Sequence, residues 1–196
     1  MIVVLALSIC GAYALTILRP PGRAVLFIVI LAPLIIPTDV LIVPLFSMFR
    51  GMGLINSLTG LALIDVVTSV SFATVILTGY LRTIPRDVID AARVDGAGRI
   101  DVLLRIVIPL ARPGILAVAV LVAVFTWNDF GGALVLLQKP DAFTAPLALS
   151  RFSTVYATDQ GLTFAGMAFV MIPPLFLFIV IQRRFVEGLT TGAARR

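Results

Sequence analysis

Long uncharged runs alternate along this chain with short stretches of charge, glycine and proline. Residues 1–18 carry no charged side chain and end at Arg19-Pro20-Pro21-Gly22-Arg23. Residues 24–49 are apolar except for Asp39 and contain Pro33, Pro37 and Pro44. Residues 58–81 hold Asp65 as their one charge, and 114–137 are apolar around Trp127-Asn128-Asp129. Residues 162–181 are uncharged, are interrupted by Pro173-Pro174, and stop at Gln182-Arg183-Arg184. Apolar runs of about 18 residues or more predict transmembrane helices. Lipid leaves no solvent for an unpaired backbone N–H or C=O, so the spans are predicted as helices. The prolines predict kinked helices, because each frees a carbonyl that a neighbour must satisfy. The expectation is an all-α polytopic membrane protein, a single domain over residues 1–196 with about five transmembrane helices.

Composition agrees. Hydrophobic residues make up 60% and charged residues 13%, against roughly a quarter charged in soluble domains. Histidine is absent and Cys10 is the only cysteine. That removes disulfides, Cys/His metal sites and Ser-His or Cys-His catalytic pairs, so no catalytic, metal or cofactor site is expected.

Charge placement sets the predicted orientation. The formal net charge of +5 could suit nucleic acid, but the 15 lysines and arginines are not spread as a patch for it. All but Arg50, Lys139 and Arg151 fall at 19–23, 82–112 and 183–196. With five crossings these segments share one face, and such a bias marks the cytoplasmic side. A cytoplasmic loop at about 83–113, an extracytoplasmic loop at about 138–161 and a cytoplasmic tail at 182–196 follow, with no nucleic-acid partner. Met1 is then placed outside. Residues 1–18 have no basic n-region and no polar segment after them, unlike a signal peptide. The chain therefore reads like the later part of a longer protein, with an upstream helix expected.

The stretch from Pro85 to Pro113 is the most informative. Pro85 suits a helix start, and Asp87 and Asp90 complement the positive end of the helix dipole. Arg86–Asp90 and Asp90–Arg93 have the spacing of local ion pairs. Ala91 and Ala92 keep one face slim, and Gly96 and Gly98 permit a turn. Pro109 and Pro113 are expected to redirect the chain into the next span. Taken as charge alone, this is a basic loop held near anionic headgroups. The spacing is more specific: acidic-Ala-Ala from Asp90, three residues, Gly96, nine residues, then Ile106-Val107-Ile108-Pro109.

That pattern resembles the EAA loop of binding-protein-dependent ABC importer permeases, which reads Glu-Ala-Ala, three residues, Gly, nine residues, Ile-x-Leu-Pro. Asp90 stands for Glu and Ile108 for Leu. Residues 18–49, with Ile36-Pro37 and Pro44-Leu45-Phe46, are similar to the second and third helices of the carbohydrate-uptake subfamily. Trp127-Asn128-Asp129-Phe130 and the closing Gln182-Arg183-Arg184-Phe185-Val186-Glu187-Gly188-Leu189-Thr190-Thr191-Gly192-Ala193 are similar to the same subfamily. Its members have six helices and a cytoplasmic N-terminus, one span more than is read here.

The resemblance implies the transmembrane domain of a type I ABC importer, carrying a cytoplasmic amphipathic coupling helix. It implies partners: ATP-binding cassette ATPase subunits, a second permease subunit, an extracytoplasmic solute-binding protein and the lipid bilayer. Asp90, Ala91, Ala92, Asp95, Gly96, Gly98, Ile106 and Pro109 would form the ATPase-docking loop. ATP-driven closure of the ATPase dimer would move it with the flanking helices as rigid bodies. No Gly-x-x-x-x-Gly-Lys-Ser/Thr loop is present, so ATP chemistry falls to the partner.

Trp127, Asn128 and Asp129 have two readings. An intramembrane carboxylate usually faces the bundle interior or water, and these three side chains could line a sugar pathway. Alternatively Trp127 is an interfacial anchor and Asn128-Asp129 cap a helix. Asp39 and Asp65 fit places near the outer interface. Loop 138–161 is a binding-protein contact or simply solvated. Beyond a carbohydrate or polyol importer, the same permease role for another solute stays open. An ion-coupled secondary transporter would use embedded carboxylates, but leaves the spacing around Asp90 unexplained.

Overall fold

The computed structural model describes residues 1–36, 38–155 and 160–193, and among these every regular element is helical. The helices are α1 (Ile2–Tyr13), α2 (Arg23–Ile35), α3 (Thr38–Gly51), α4 (Leu58–Leu81), α5 (Arg86–Val94), α6 (Arg99–Val102), α7 (Ile108–Trp127), α8 (Gly131–Leu136), α9 (Ala145–Val155) and α10 (Gln160–Ala193). Three stretches are long and apolar enough to cross a membrane: Leu58–Leu81, Arg99–Leu136 and Thr163–Val180. Arg23–Ile35 and Val40–Gly51 qualify only as a bent pair, a broken span or a re-entrant loop, and Ile2–Leu18 is a shorter apolar helix.

Proline and π-helical geometry account for where these elements depart from the sequence expectation. Residues 24–49 form two helices, not one kinked rod: α2 ends at Ile35, just ahead of Ile36-Pro37, and a residue before proline is pushed out of helical conformation. Pro37 itself lies outside the described residues, and Asp39 outside the described side chains. Pro109 and Pro113 do not redirect the chain. A π-helical turn, Leu103–Val107, joins α6 to α7, and the Ile108 N–H donates to Leu103 O, five residues back. Pro109 has no N–H with which to continue that register, so the α-helical pattern resumes there. The stretch that holds the fourth span, Arg99–Leu136, therefore begins inside the cytoplasmic loop of the sequence reading, and its long helix α7 ends at Trp127.

Two further corrections concern the C-terminal third. Loop 138–161 is structured over most of its length, with a 3-10 turn at Pro140–Ala142 followed by α9. α10 runs through Pro173-Pro174 and past Arg184 without a break. The last three residues of the expected tail, 194–196, lie outside the described residues.

The chain divides into two compact units. One comprises Met1–Ile35 and Thr68–Val122 with the C-terminal segment. Its interior holds Val4 and Ala12 of α1, Ala73 and Leu77 of α4, and Val118 and Val122 of α7. Small residues allow close approach: a Cβ added at Gly114 would lie 2.6 Å from the Tyr80 ring, and one at Gly11 3.2 Å from Thr74. The other unit comprises Ile36–Val67 and Ala123–Arg183. There Leu61, Ala133, Leu137 and Leu147 form a buried cluster with Ala142 and Phe143 packed on it. Asn56 ties its turns together at a left-handed φ of 59°. Its N–H donates to Leu136 O, and its side-chain oxygen accepts from the Gln138 and Lys139 N–H groups at 2.6 and 2.8 Å.

Candidate functional site

α5 is strongly amphipathic, and one residue anchors it. Ile89 is 5% exposed and Ile84, just before the helix, is 8% exposed. Burying each contributes about 1.5–3 kcal/mol. Pro85 precedes the first helical residue and Asp87 lies in the first turn, as the dipole favours. The helix then ends in a Schellman motif. The Ala97 N–H donates to Ala92 O at 2.9 Å and the Gly96 N–H to Arg93 O at 3.1 Å. Gly96 holds φ 86°, the left-handed conformation this closure demands and glycine adopts without strain. Gly98 sits at the N-cap of α6, whose first turn carries Asp101. Across the turn, the Tyr13 hydroxyl donates to Arg99 O at 2.8 Å and ties α6 to α1.

The residues singled out in the sequence are thereby brought into one unit. Asp90, Ala91, Asp95, Gly96, Gly98 and Pro109 are exposed, while Ala92 and Ile106 are partly buried. Of the two expected ion pairs one is present, Arg93 to Asp90 at 3.4 Å. Arg86 instead lines a cavity beside α1. What sequence reasoning missed is the apolar part of the surface. Val94 is 88% exposed and Ile100 71%, on either side of the Gly96 turn. Large apolar residues inside a charged island were the available signal.

Trp127, Asn128 and Asp129 fall at the junction of α7 and α8, and their polar atoms are engaged, those of Asn128 and Asp129 at helix ends and the indole N–H on α10. Asn128 Nδ2 donates to Val124 O at 2.8 Å, a carbonyl of the last turn of α7 that also accepts the Asn128 backbone N–H at 3.1 Å. Both Asp129 carboxylate oxygens accept backbone N–H bonds at the start of α8, from Gly132 and Ala133, each at 3.3 Å. Trp127 Nε1 donates to Val170 O at 3.1 Å. Among the described residues no group of His, Cys, Asp or Glu has the arrangement of a metal site.

Residues 5–191 match the family described as the inner membrane component of binding-protein-dependent transport systems. The chain belongs to that family. The permease is 34% identical to the trehalose transport system permease protein of Mycobacterium tuberculosis, over 99% of this chain and 72% of that one. It is 32% identical to the arabinooligosaccharides transport system permease protein of Bacillus subtilis, over 93% of this chain and 64% of that relative. Its fold matches a chain in the crystal structure of a bacterial ABC transporter involved in the import of the acidic polysaccharide alginate. The TM-score is 0.72 at 25% identity, over 94% of this permease and 70% of that chain.

Proposed function

We propose that this permease forms part of the translocation pathway of an ATP-driven importer for a carbohydrate or a related polyol. The observation that carries it is the α5–turn–α6 unit. It is fixed from below by Ile89 and Tyr13 and closed by Gly96, and it presents Val94 and Ile100 beside Asp90 and Asp95. An exposed apolar pair ringed by charge is the composition of a protein-binding surface. Its occupant in this proposal is an ATPase subunit, with ATP hydrolysis carried out there. A second permease subunit completes the pore, and an extracytoplasmic binding protein delivers solute. The loop unit lies in the cytoplasm, as does the C-terminus, by the arginine bias. The named transport systems of the two relatives support the carbohydrate class.

The three residues at the α7–α8 junction are proposed to act chiefly in structure, Asn128 and Asp129 at helix ends and Trp127 on the α10 carbonyl of Val170. A solute contact by Asp129 remains the second reading, because its carboxylate is only partly buried. The deciding experiment is purification of the intact importer, reconstitution with its binding protein, and identification of the solute that co-purifies and is taken up with ATP. Uptake of a sugar or polyol supports the proposal. An amino acid, ion or peptide in that place removes the carbohydrate assignment, and uptake without ATPase subunits removes the importer itself.

A further inference from the structure

Beside the docking unit lies a cavity of about 480 Å³ that docking leaves unused. It opens between the π-helical turn Ala14–Leu18 that follows α1, the first turns of α2, the end of α4 and the start of α5. Arg19, Arg23, Arg82 and Arg86 line it. The carboxylate of Asp90 lies in the adjoining hollow that shares Arg19 and Arg86, and it pairs with Arg93. The ion pairs found among the described residues engage Arg93 and Arg105 instead. Arg19 is held at a left-handed φ of 49°, and its Nε donates to Thr16 O at 2.9 Å. That bond fixes the guanidinium while leaving its terminal nitrogens for another acceptor. Thr78 also lines the cavity. Its hydroxyl is buried and has no hydrogen-bond partner among the described residues.

Four exposed guanidinium groups around one cavity give it a positive potential that attracts an anion. A phosphate fits best, because its oxygens accept paired guanidinium bonds and a neighbouring hydroxyl bond. The walls narrow the source. Phe27 and Ile84 give the cavity an apolar side, which a free phosphate leaves wet and an acyl chain covers. Arg23 opens α2, the first half of a bent apolar pair, and Arg82 follows α4, a helix long enough to cross the membrane. Both therefore stand where an apolar helix ends, the usual place of headgroup-facing arginines. We infer that this cavity binds the phosphate of an anionic phospholipid from the cytoplasmic leaflet. The leaflet rests on the orientation proposed above. Because Arg86 is the first residue of α5, the bound lipid ties the docking helix to the membrane surface.

The test uses the complete transporter, with its ATPase subunits, in nanodiscs of phosphatidylcholine mixed with phosphatidylglycerol. Lipid retained by the complex is read by native mass spectrometry. The wild type is expected to keep phosphatidylglycerol selectively. Arg23→Gln with Arg82→Gln should reduce that retention about ten- to thirtyfold, at about 1 kcal/mol for each arginine near an anionic surface. Arg50→Gln with Arg105→Gln, an equal change in net charge, should leave it unaltered. Thr78→Val, which removes no charge, should weaken it about two- to tenfold through one hydrogen bond. Equal retention in the wild type and the Arg23/Arg82 variant overturns the inference. Binding of inorganic phosphate with no preference for phosphatidylglycerol assigns the site to a free anion and overturns the lipid. Loss of ATPase subunits from the variant with lipid retention intact assigns the arginines to protein docking and also overturns it. Retention is read without transport, so a complex that imports no carbohydrate but keeps the lipid sinks only the proposed function.

Discussion

The indole N–H of Trp127 donates to the carbonyl of Val170, the acceptor whose helical partner would be the missing N–H of Pro174. Proline at position 174 removes the donor four residues beyond Val170, and a bare carbonyl at membrane depth costs several kcal/mol. Trp127, the last residue of α7, supplies the replacement. This accounts for the carbonyl that Pro174 leaves without a helical donor, and for a tryptophan at that helix end.

A rescue experiment follows. Trp127→Phe should destabilise the purified complex by about 1–3 kcal/mol, since it keeps the ring and strands the carbonyl. Adding Pro174→Ala should recover most of that loss by restoring an intrahelical donor. Thermal unfolding of the two single variants and the double variant forms the cycle. Strict additivity would show that the indole N–H does not serve that carbonyl.

Gly96 yields a prediction that separates conformation from bulk. A Cβ there meets nothing within 4 Å, yet φ is 86°. Gly96→Val should therefore cost about 1–2 kcal/mol in the turn and abolish uptake, whereas Gly96→Asn, more tolerant of left-handed backbone, should retain most of it. Membrane insertion should be normal in both. Equal uptake in the two variants would mean the Schellman closure is not needed for coupling.

Asp90 tests the docking face. Its pair with Arg93 is exposed on both sides, and such pairs contribute about 0–1 kcal/mol, so Asp90→Lys should leave expression near wild type. Uptake should nonetheless fall sharply and ATPase subunits should co-purify less. Asp90→Glu should preserve both. Normal uptake by the lysine variant at full expression would remove Asp90 from the docking role.

The spans were legible because an apolar run is a property of composition, and the docking unit because its turn needs glycine at one fixed place after a short helix. Helix ends were less so. Pro109, Pro113, Pro173 and Pro174 read as breaks, while α7 and α10 run through them, with a π-helical turn before Pro109 and a borrowed donor for the carbonyl that faces Pro174. Residues 138–161 read as a loop because no long apolar run marks α9, yet Leu147 is fully buried beside Leu61 and Leu137. The arginine cavity was invisible for a related reason. It joins residues near 20 with residues near 80, and charge counting gives the face they share without showing that they converge.

Orientation is checked by labelling. With Cys10 replaced, a cysteine at Ala97 should react with a membrane-impermeant reagent only from the cytoplasmic side, and one at Ala142 only from outside. The bias of all but Arg50, Lys139 and Arg151 to one face motivates this. Reaction of both positions from one side would refute the topology and, with it, the cytoplasmic leaflet assigned to the lipid.

Asp129 distinguishes capping from solute contact. Its two oxygens accept the Gly132 and Ala133 N–H groups, and loss of such a cap costs about 0.5–2 kcal/mol. Asp129→Ala should therefore lower stability by about that amount. Asp129→Asn keeps one acceptor oxygen and should recover part of the loss. If capping is the whole role, transport by Asp129→Asn should match wild type in apparent affinity and solute range. If the carboxylate also meets solute, both variants should weaken apparent affinity, because a charged hydrogen bond is worth about 1.5–3 kcal/mol, roughly ten- to a hundredfold. Measuring uptake against solute concentration beside the melting temperature separates the two outcomes. An Asp129→Asn variant that is stable but changed in solute preference would overturn the capping assignment, while the docking role of α5 would stand untouched.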